Sequence, residues 1–524
     1  MRESQERRDT EVFNLTESGS PPDKRSDLTI HSFRGGILTL ISQFIKFVLQ
    51  IGSVVILARI LTPEDYGLFA IVITIVVFVN LLKDMGLQMA TIQHREITRG
   101  QVSNLFWVNT AMGAGFAALA IVAAPLVGRL YNEPRLAAML GVLSLVYVAN
   151  ALTSQQQAIL KRTMRFGVLA LIEVVSMAVG VLVAIIAALW GAGYWSLVYM
   201  HLTLTIFSAA GIWWVSGWVP EMPNPNADVR PMLRFGWHLT GMGVLAFACR
   251  NVDTLLIGWY WGARELGFYE KAYQLLLIPL LQVEVPLSGV ALSILSRVQA
   301  NREEHRRQYK RIILMTAFIG MAMVAFLYVA AEKAILVILG SQWLSSVPIF
   351  RALAPAAFVD TFLLTLNWVL MSLGESAKLF RLTVAVTIVT LTGFVIGLPW
   401  GALGVAVAYS ICRVGLTLPV IMYVSRHSPL RLKDVLRTLA KPAASAILAA
   451  AGLAVIAPYI VIATNRFVDL MSNGIVFVVF YVLIWLAMPG GRQSFFDLVR
   501  LFRALSEEIL PSTALKGVKK GGQG

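Results

Sequence analysis

LARILTPEDYGLFA, residues 57–70, ends one apolar run, turns through Thr62, Pro63, Glu64 and Asp65, and re-enters apolar sequence at Gly67, Leu68 and Phe69. A turn this short between two apolar flanks is a helical hairpin if each flank can cross a bilayer, which takes about 20 residues. Both flanks are long enough, and the alternation of apolar run and polar break continues outward to fill the chain. The runs centre on residues 35–60, 65–83, 104–127, 136–158, 167–190, 193–217, 235–258, 265–295, 311–332, 346–373, 378–399, 402–424, 443–464 and 470–489. This predicts an all-α polytopic membrane protein of about fourteen transmembrane helices.

Composition agrees. Apolar residues make up 57% of the 524 positions and charged residues 14%, against roughly half and a quarter in a soluble domain. The first 33 residues are polar and carry no apolar leader segment, so they read as a disordered tail without a cleavable signal. Basic residues gather in alternate breaks. Lys83, Arg95, Lys161, Arg162, Arg230, Arg302, Arg306, Lys310, Lys378, Arg431 and Lys441 fall on one side, whereas Arg59, Arg129, Arg135, Arg264, Lys333 and Arg466 fall on the other. Basic loops stay in the cytoplasm, which puts both termini inside a bacterial inner membrane. The net charge of +15 then reflects orientation and anionic lipid, with no nucleic-acid partner. Cys249 and Cys412 lie inside apolar runs and the six histidines are scattered, so no disulfide framework, metal centre or hydrolase motif is expected. From Ser494 the C-terminal stretch alternates apolar residues with Arg500 and Arg503 and reads as an interfacial helix or a short solvated one.

The opening hairpin has a counterpart. IGWYWGARELGFYE (257–270) also closes a run, turns through an acidic residue and re-enters through a glycine and two bulky residues; Gly67 and Gly267 coincide at an offset of 200. WGAGYWSLV (190–198) matches WGALGVAVA (400–408) at an offset of 210. Six spans separate the matched hairpins. An even shift keeps both halves in the same sense, as in transporters whose parallel repeats flank a central site. The expected organisation is a tail (1–33), an N-lobe (34–217), a C-lobe (218–440), two accessory spans (441–490) and a C-terminal segment (491–524).

ILARILTPEDYGLFA (56–70), MGLQMATIQHREIT (85–98), GYWSLV (193–198), NVDTLLIG (251–258), LGFYEKAYQLLLIP (266–279) and ILGSQWLSSVPIF (338–350) together resemble the Wzx-type lipopolysaccharide and exopolysaccharide flippases, especially their WzxC-like branch. That family belongs to the multidrug/oligosaccharidyl-lipid/polysaccharide exporter superfamily. The resemblance covers residues 34 to 440. It implies a two-lobe, alternating-access bundle that flips undecaprenyl-diphosphate-linked oligosaccharide, with a polysaccharide polymerase or co-polymerase and glycosyltransferases as neighbours. The glycan itself does not carry over.

Charges inside spans are the candidate functional residues, because each costs about 2.5–3.5 kcal/mol at mid-membrane unless it meets water or a partner. Gln43, Lys46, Gln50 and Ser53 form one stripe on the first span, and Arg250 and Asp253 stand three residues apart on the seventh. Two cations from equivalent spans suit a diphosphate that must shed water; alternatively, Arg250 and Asp253 neutralise each other. Lys271, beside Glu270, joins the cleft set or serves as an interfacial charge. Glu284, Asp360 and Arg413 lie deep with no partner visible in the sequence. They are candidates for H+ or Na+ coupling or for an internal salt bridge; no other cofactor is expected. Asp84 and Glu173 lie nearer the cytoplasm, as gate or loop contacts. Tryptophans at span edges read as aromatic-belt anchors. Three rival functions remain: a drug or organic-cation antiporter, which would favour an acidic cavity; a glycan-assembly enzyme, which needs a longer outer loop for its acid–base residues; and an envelope scaffold.

Overall fold

A computed structural model describes residues 25–84, 86–94, 97–225, 227–458 and 465–493. Every element among them is helical. Helix α1 (Arg25–Ile60) runs into α2 (Pro63–Asp84) through the turn that opened the sequence. The turn is a reciprocal cap. The Asp65 amide donates to the Thr62 hydroxyl at 3.2 Å, while the Asp65 carboxylate accepts from the Thr62 amide at 2.9 Å and from its hydroxyl at 2.7 Å. Two otherwise orphaned donors are satisfied, Pro63 occupies the first helical position, and Glu64 and Asp65 sit at the positive end of the helix dipole.

The order continues with α3 (Leu87–Gln93), α4 (Arg99–Leu130), α5 (Arg135–Leu143), α6 (Leu145–Arg162), α7 (Phe166–Leu189), α8 (Trp195–Ser216) and α9 (Arg230–Arg297). It ends with α10 (Arg302–Val329), α11 (Ala331–Ile338), α12 (Ser346–Ser372), α13 (Ser376–Gly397), α14 (Gly401–Arg426), α15 (Leu432–Ile456) and α16 (Arg466–Ala487). Helix α1 opens inside the stretch read as a tail. No breaker stands between Arg25 and Phe33 to stop it, and the last prolines upstream are Pro21 and Pro22. Most of that tail, residues 1–24, and the expected interfacial helix from Ser494 lie outside the described residues.

Among the described residues, eleven helical stretches are long and apolar enough to cross a membrane, or twelve if one bent pair counts as a span. The sequence led us to expect fourteen. The difference arises where helices run on. The stretch Ser376–Arg426 has 51 residues and α9 has 68, both longer at ~1.5 Å per residue than a ~30 Å hydrocarbon core. Each is interrupted at a glycine in the left-handed region, Gly401 (φ 76) and Gly262 (φ 82), where a side chain would strain the backbone. Between Arg135 and Arg162 the span is two helices meeting at Ser144, whose hydroxyl bonds the Gly141 carbonyl at 2.6 Å.

The chain forms two compact units. The first comprises Met1–Glu270, Ile338–Trp343 and Phe394–Val405. In it α7 packs on α8 and α1, and α4 on α5 and α6. A Cβ on Gly113 would lie 2.5 Å from that of Ala151, so α4 and α6 touch nearly backbone to backbone. Small residues give membrane helices this close approach, since apolar burial adds little driving force in lipid. The equivalence of the two hairpins is physical here. A Cβ on Gly67 would lie 1.7 Å from the Ala263 carbonyl oxygen, and a Cβ on Gly267 would lie 1.8 Å from that of Pro63. Each hairpin thus presses its glycine onto the other's turn at matching positions. Trp343, fully buried, seals the junction by donating to the Ala58 carbonyl at 2.8 Å and meeting the Tyr66 and Phe268 rings edge-on.

The second unit comprises Lys271–Val337, Leu344–Gly393 and Ala406–Gly524. Helix α10 packs on α12 and α15, and α15 on α16. Their core includes Tyr309, Phe362, Trp368, Tyr481 and Trp485. Asn301 caps α10 by accepting from the amides of Glu303 and Glu304. The basic stretch read as a loop is therefore the first turns of a helix, with Arg306 and Lys310 reaching Asp434 at the start of α15.

Candidate functional site

On α1, Gln43 is exposed and Lys46 and Gln50 are half-buried; the Ser53 hydroxyl turns back to the Gln50 carbonyl at 2.8 Å. Lys46 is not the free cation its central position suggested. Its Nζ donates to Glu173 Oε2 of α7 at 2.7 Å, with side-chain exposures of 22% and 47%. Glu173 is the sole charged residue of α7, and a lone acid in an apolar helix needs a counter-ion. That is the signal by which the pair could have been found.

The alternative pairing of Arg250 with Asp253 does not form among the described residues. Asp253 is 3% exposed and accepts the Tyr269 hydroxyl at 2.6 Å, while its Oδ1 has no hydrogen-bond partner among the described residues. One position on, Thr254 donates to Glu270 Oε1 at 2.8 Å. These two bonds tie the halves of α9 together across the break at Gly262. Arg250 is exposed and forms no ion pair among the described residues. A three-residue step turns about 300° around a helix, enough here to leave the aspartate on the packed face and the guanidinium off it. Tyr269 lies beyond a bend, so no sequence spacing announces it.

Lys271 in the second unit is 6% exposed, with its Nζ 2.8 Å from Gln274 Oε1 on the next turn. Its side chain is thus packed inside the protein. Asp84 accepts from the Ser154 hydroxyl at 3.2 Å. Asp360 and Arg413, each without a partner in the sequence reading, pair with one another. Arg413 Nε donates to Asp360 Oδ1 at 2.8 Å and Nη2 reaches the same oxygen, with the Arg413 side chain 13% and the Asp360 side chain 14% exposed. The Tyr409 hydroxyl adds a bond to Oδ2 at 3.2 Å. They come from α12 and α14, 53 residues apart, a separation that only the packing of those helices closes. Glu284 is half-buried. No group of three or more His, Cys, Asp or Glu among the described residues could hold a metal ion.

Residues 56–348 match the family described as "Polysaccharide biosynthesis protein". The match spans more than half the chain. This protein is a member of that family. Other polysaccharide biosynthesis proteins resemble it over most of their length. The lipopolysaccharide biosynthesis protein WzxC of Escherichia coli (strain K12) is 23% identical over 68% of this chain and 74% of its own. The succinoglycan biosynthesis transport protein ExoT of Rhizobium meliloti (strain 1021) is 28% identical over 65% and 69%. The fold matches that of the lipid II flippase MurJ in an inward closed conformation, with a TM-score of 0.69, 16% identity, and 86% of this chain and 98% of that one covered. It also matches an inward-facing multidrug resistance MATE transporter of the MOP superfamily at TM-score 0.58. The chain is thus a multi-pass membrane protein with the two-lobe fold of those two structures.

Proposed function

We propose that this protein moves an undecaprenyl-diphosphate-linked oligosaccharide from the inner to the outer leaflet of a bacterial inner membrane, by alternating access and without covalent chemistry. Arg250 carries the proposal. It sits about 18 Å along α9 from the break at Gly262, counting 12 residues at ~1.5 Å each, and its guanidinium is exposed without an ion pair among the described residues. An exposed cation at that depth in lipid would be costly; facing a wet passage it can take a diphosphate oxygen pair bidentately. The Lys46–Glu173 pair supplies a second cation that can exchange its carboxylate for phosphate. Membership of the polysaccharide biosynthesis family supports the substrate class, and the alternating basic breaks support cytoplasmic termini.

Asp253, with one carboxylate oxygen open, Glu284 and the Asp360–Arg413 pair are the groups through which H+ or Na+ would couple to transport. A polymerase and glycosyltransferases would act on either side of the step. The test is reconstitution. Proteoliposomes holding the full chain should expose undecaprenyl-diphosphate-linked oligosaccharide to an outside lectin. Arg250→Ala should slow this at least tenfold, while Arg250→Lys should retain part of it. Unimpaired translocation by Arg250→Ala would refute the cationic role.

A further inference from the structure

The diphosphate is only one end of such a substrate, and the sugars need a surface of their own. One face of α6 carries Asn150, Ser154, Gln157 and Lys161 at steps of four, three and four residues, a single stripe along a helix. Opposite them stand Asn80 and Asp84 on α2 and Gln88 on α3. Cross-helix hydrogen bonds join the two rows rung by rung. Asn150 Nδ2 lies 3.4 Å from Asn80 Oδ1, Ser154 Oγ lies 3.2 Å from Asp84 Oδ1, Gln88 Nε2 lies 2.6 Å from Gln157 Oε1, and Lys161 Nζ lies 3.4 Å from Gln88 Oε1. From Lys161 near the helix end to Asn150 the ladder climbs about 16 Å at ~1.5 Å per residue.

Three observations separate it from a structural network. All but Ser154 are half-buried, so the stripe lies at a surface of the packed helices rather than inside their core. Three of the four rungs are 3.2 Å or longer, toward or beyond the loose end of the ordinary range, and the Gln157 amide donates to no partner among the described residues. Finally, four amides and a carboxylate carry more donors and acceptors than the four rungs use, and those left over would be unsatisfied, at several kcal/mol each, if the stripe were turned to lipid. The surface therefore borders water. Its chemistry is paired donors and acceptors on planar groups. That suits the adjacent hydroxyls of a neutral sugar; a diphosphate would call for a row of cations.

We propose that this ladder is a carbohydrate subsite, which trades its long amide–amide bonds for bonds to the glycan's hydroxyls. The proposal rests on the flippase reading above. The two are separated by measuring binding of two probes to the full chain in nanodiscs: undecaprenyl diphosphate alone, and undecaprenyl diphosphate bearing a neutral oligosaccharide. The variant Asn150→Leu/Gln157→Met keeps side-chain volume and removes both amides. It should weaken oligosaccharide-lipid binding about tenfold or more, as loss of two hydrogen bonds implies, and change undecaprenyl diphosphate binding less than twofold. Gln157→Asn should recover part of the loss, and the unfolding midpoint should stay near that of the unaltered chain. Equal binding of both probes by variant and unaltered chain would overturn the subsite alone. A matching loss for both probes with a fallen midpoint would make the ladder structural. Failure of the unaltered chain to bind either lipid would overturn the subsite together with the flippase reading.

Discussion

Adding one methyl group at the hairpin junction tests the duplication physically. In Gly67→Ala the new Cβ would start 1.7 Å from the Ala263 carbonyl oxygen, and in Gly267→Ala 1.8 Å from that of Pro63. Real contacts of this kind begin near 3.0–3.4 Å, so the two turns must separate by about 1.5 Å. The obstacle is backbone, and no rotamer change relieves it. Overpacking of this sort costs about 1–3 kcal/mol or more, against a helix-propensity gain for alanine of at most about 1 kcal/mol. A rigid backbone obstacle puts the cost at the upper end, about 3 kcal/mol, so the net is a loss of roughly 2 kcal/mol, a fall of a few degrees in thermal midpoint. Gly115→Ala on α4 is the control. That glycine is exposed with nothing within 4 Å of an added Cβ, so the substitution should be neutral or slightly stabilising. Because each glycine presses on the other's turn, one separation relieves both clashes. The double variant should therefore cost less than the sum of the single ones, a coupling that a double-mutant cycle reads directly. Thermal unfolding in detergent is the assay. Wild-type midpoints for both single variants, or strict additivity in the double, would refute the reciprocal packing.

Asp360→Ala leaves the Arg413 guanidinium in a largely buried site, and truncating one partner of a buried pair costs about 3–5 kcal/mol. Membrane abundance of Asp360→Ala should fall sharply and recover in Asp360→Asn/Arg413→Gln; equal abundance of all three would exclude a structural pair. For Lys46, the charge swap Lys46→Glu/Glu173→Lys should preserve abundance and abolish export, whereas continued export would show that only the pair's stability matters. Outside the spans, hydrogen bonding and charge from Arg135 hold the Glu133 carboxyl below its ordinary 4.5. A lowered folded pKa contributes stability above the unfolded pKa and loses it as pH falls through the lowered value. Because the pair is partly exposed, that contribution stays well under about 1 kcal/mol. The midpoint of Glu133→Gln should therefore lie slightly below wild type near neutrality, and the gap should close as pH falls from 4.5 through the lowered value; a gap that does not narrow with acidification would contradict this.

Much of the architecture was legible before any coordinates. Bilayer thickness sets how many apolar residues a helix must string together, and the positions of Lys and Arg mark alternate breaks, both local properties of the chain. The equivalence of Gly67 and Gly267 was legible too, because a turn pressed against a backbone tolerates no side chain, and that constraint shows as a repeated glycine. What escaped sequence reasoning was which charge meets which. Lys46 finds Glu173 on another helix, Arg413 finds Asp360 across 53 positions, and Asp253 turns from its neighbour Arg250 to Tyr269 beyond a bend. The amide ladder was likewise invisible, since its two rows lie on separate helices some 70 residues apart. Helix periodicity decides the face a side chain occupies, whereas its partner depends on how helices pack and where glycines break them, and those are decided only when the tertiary structure forms.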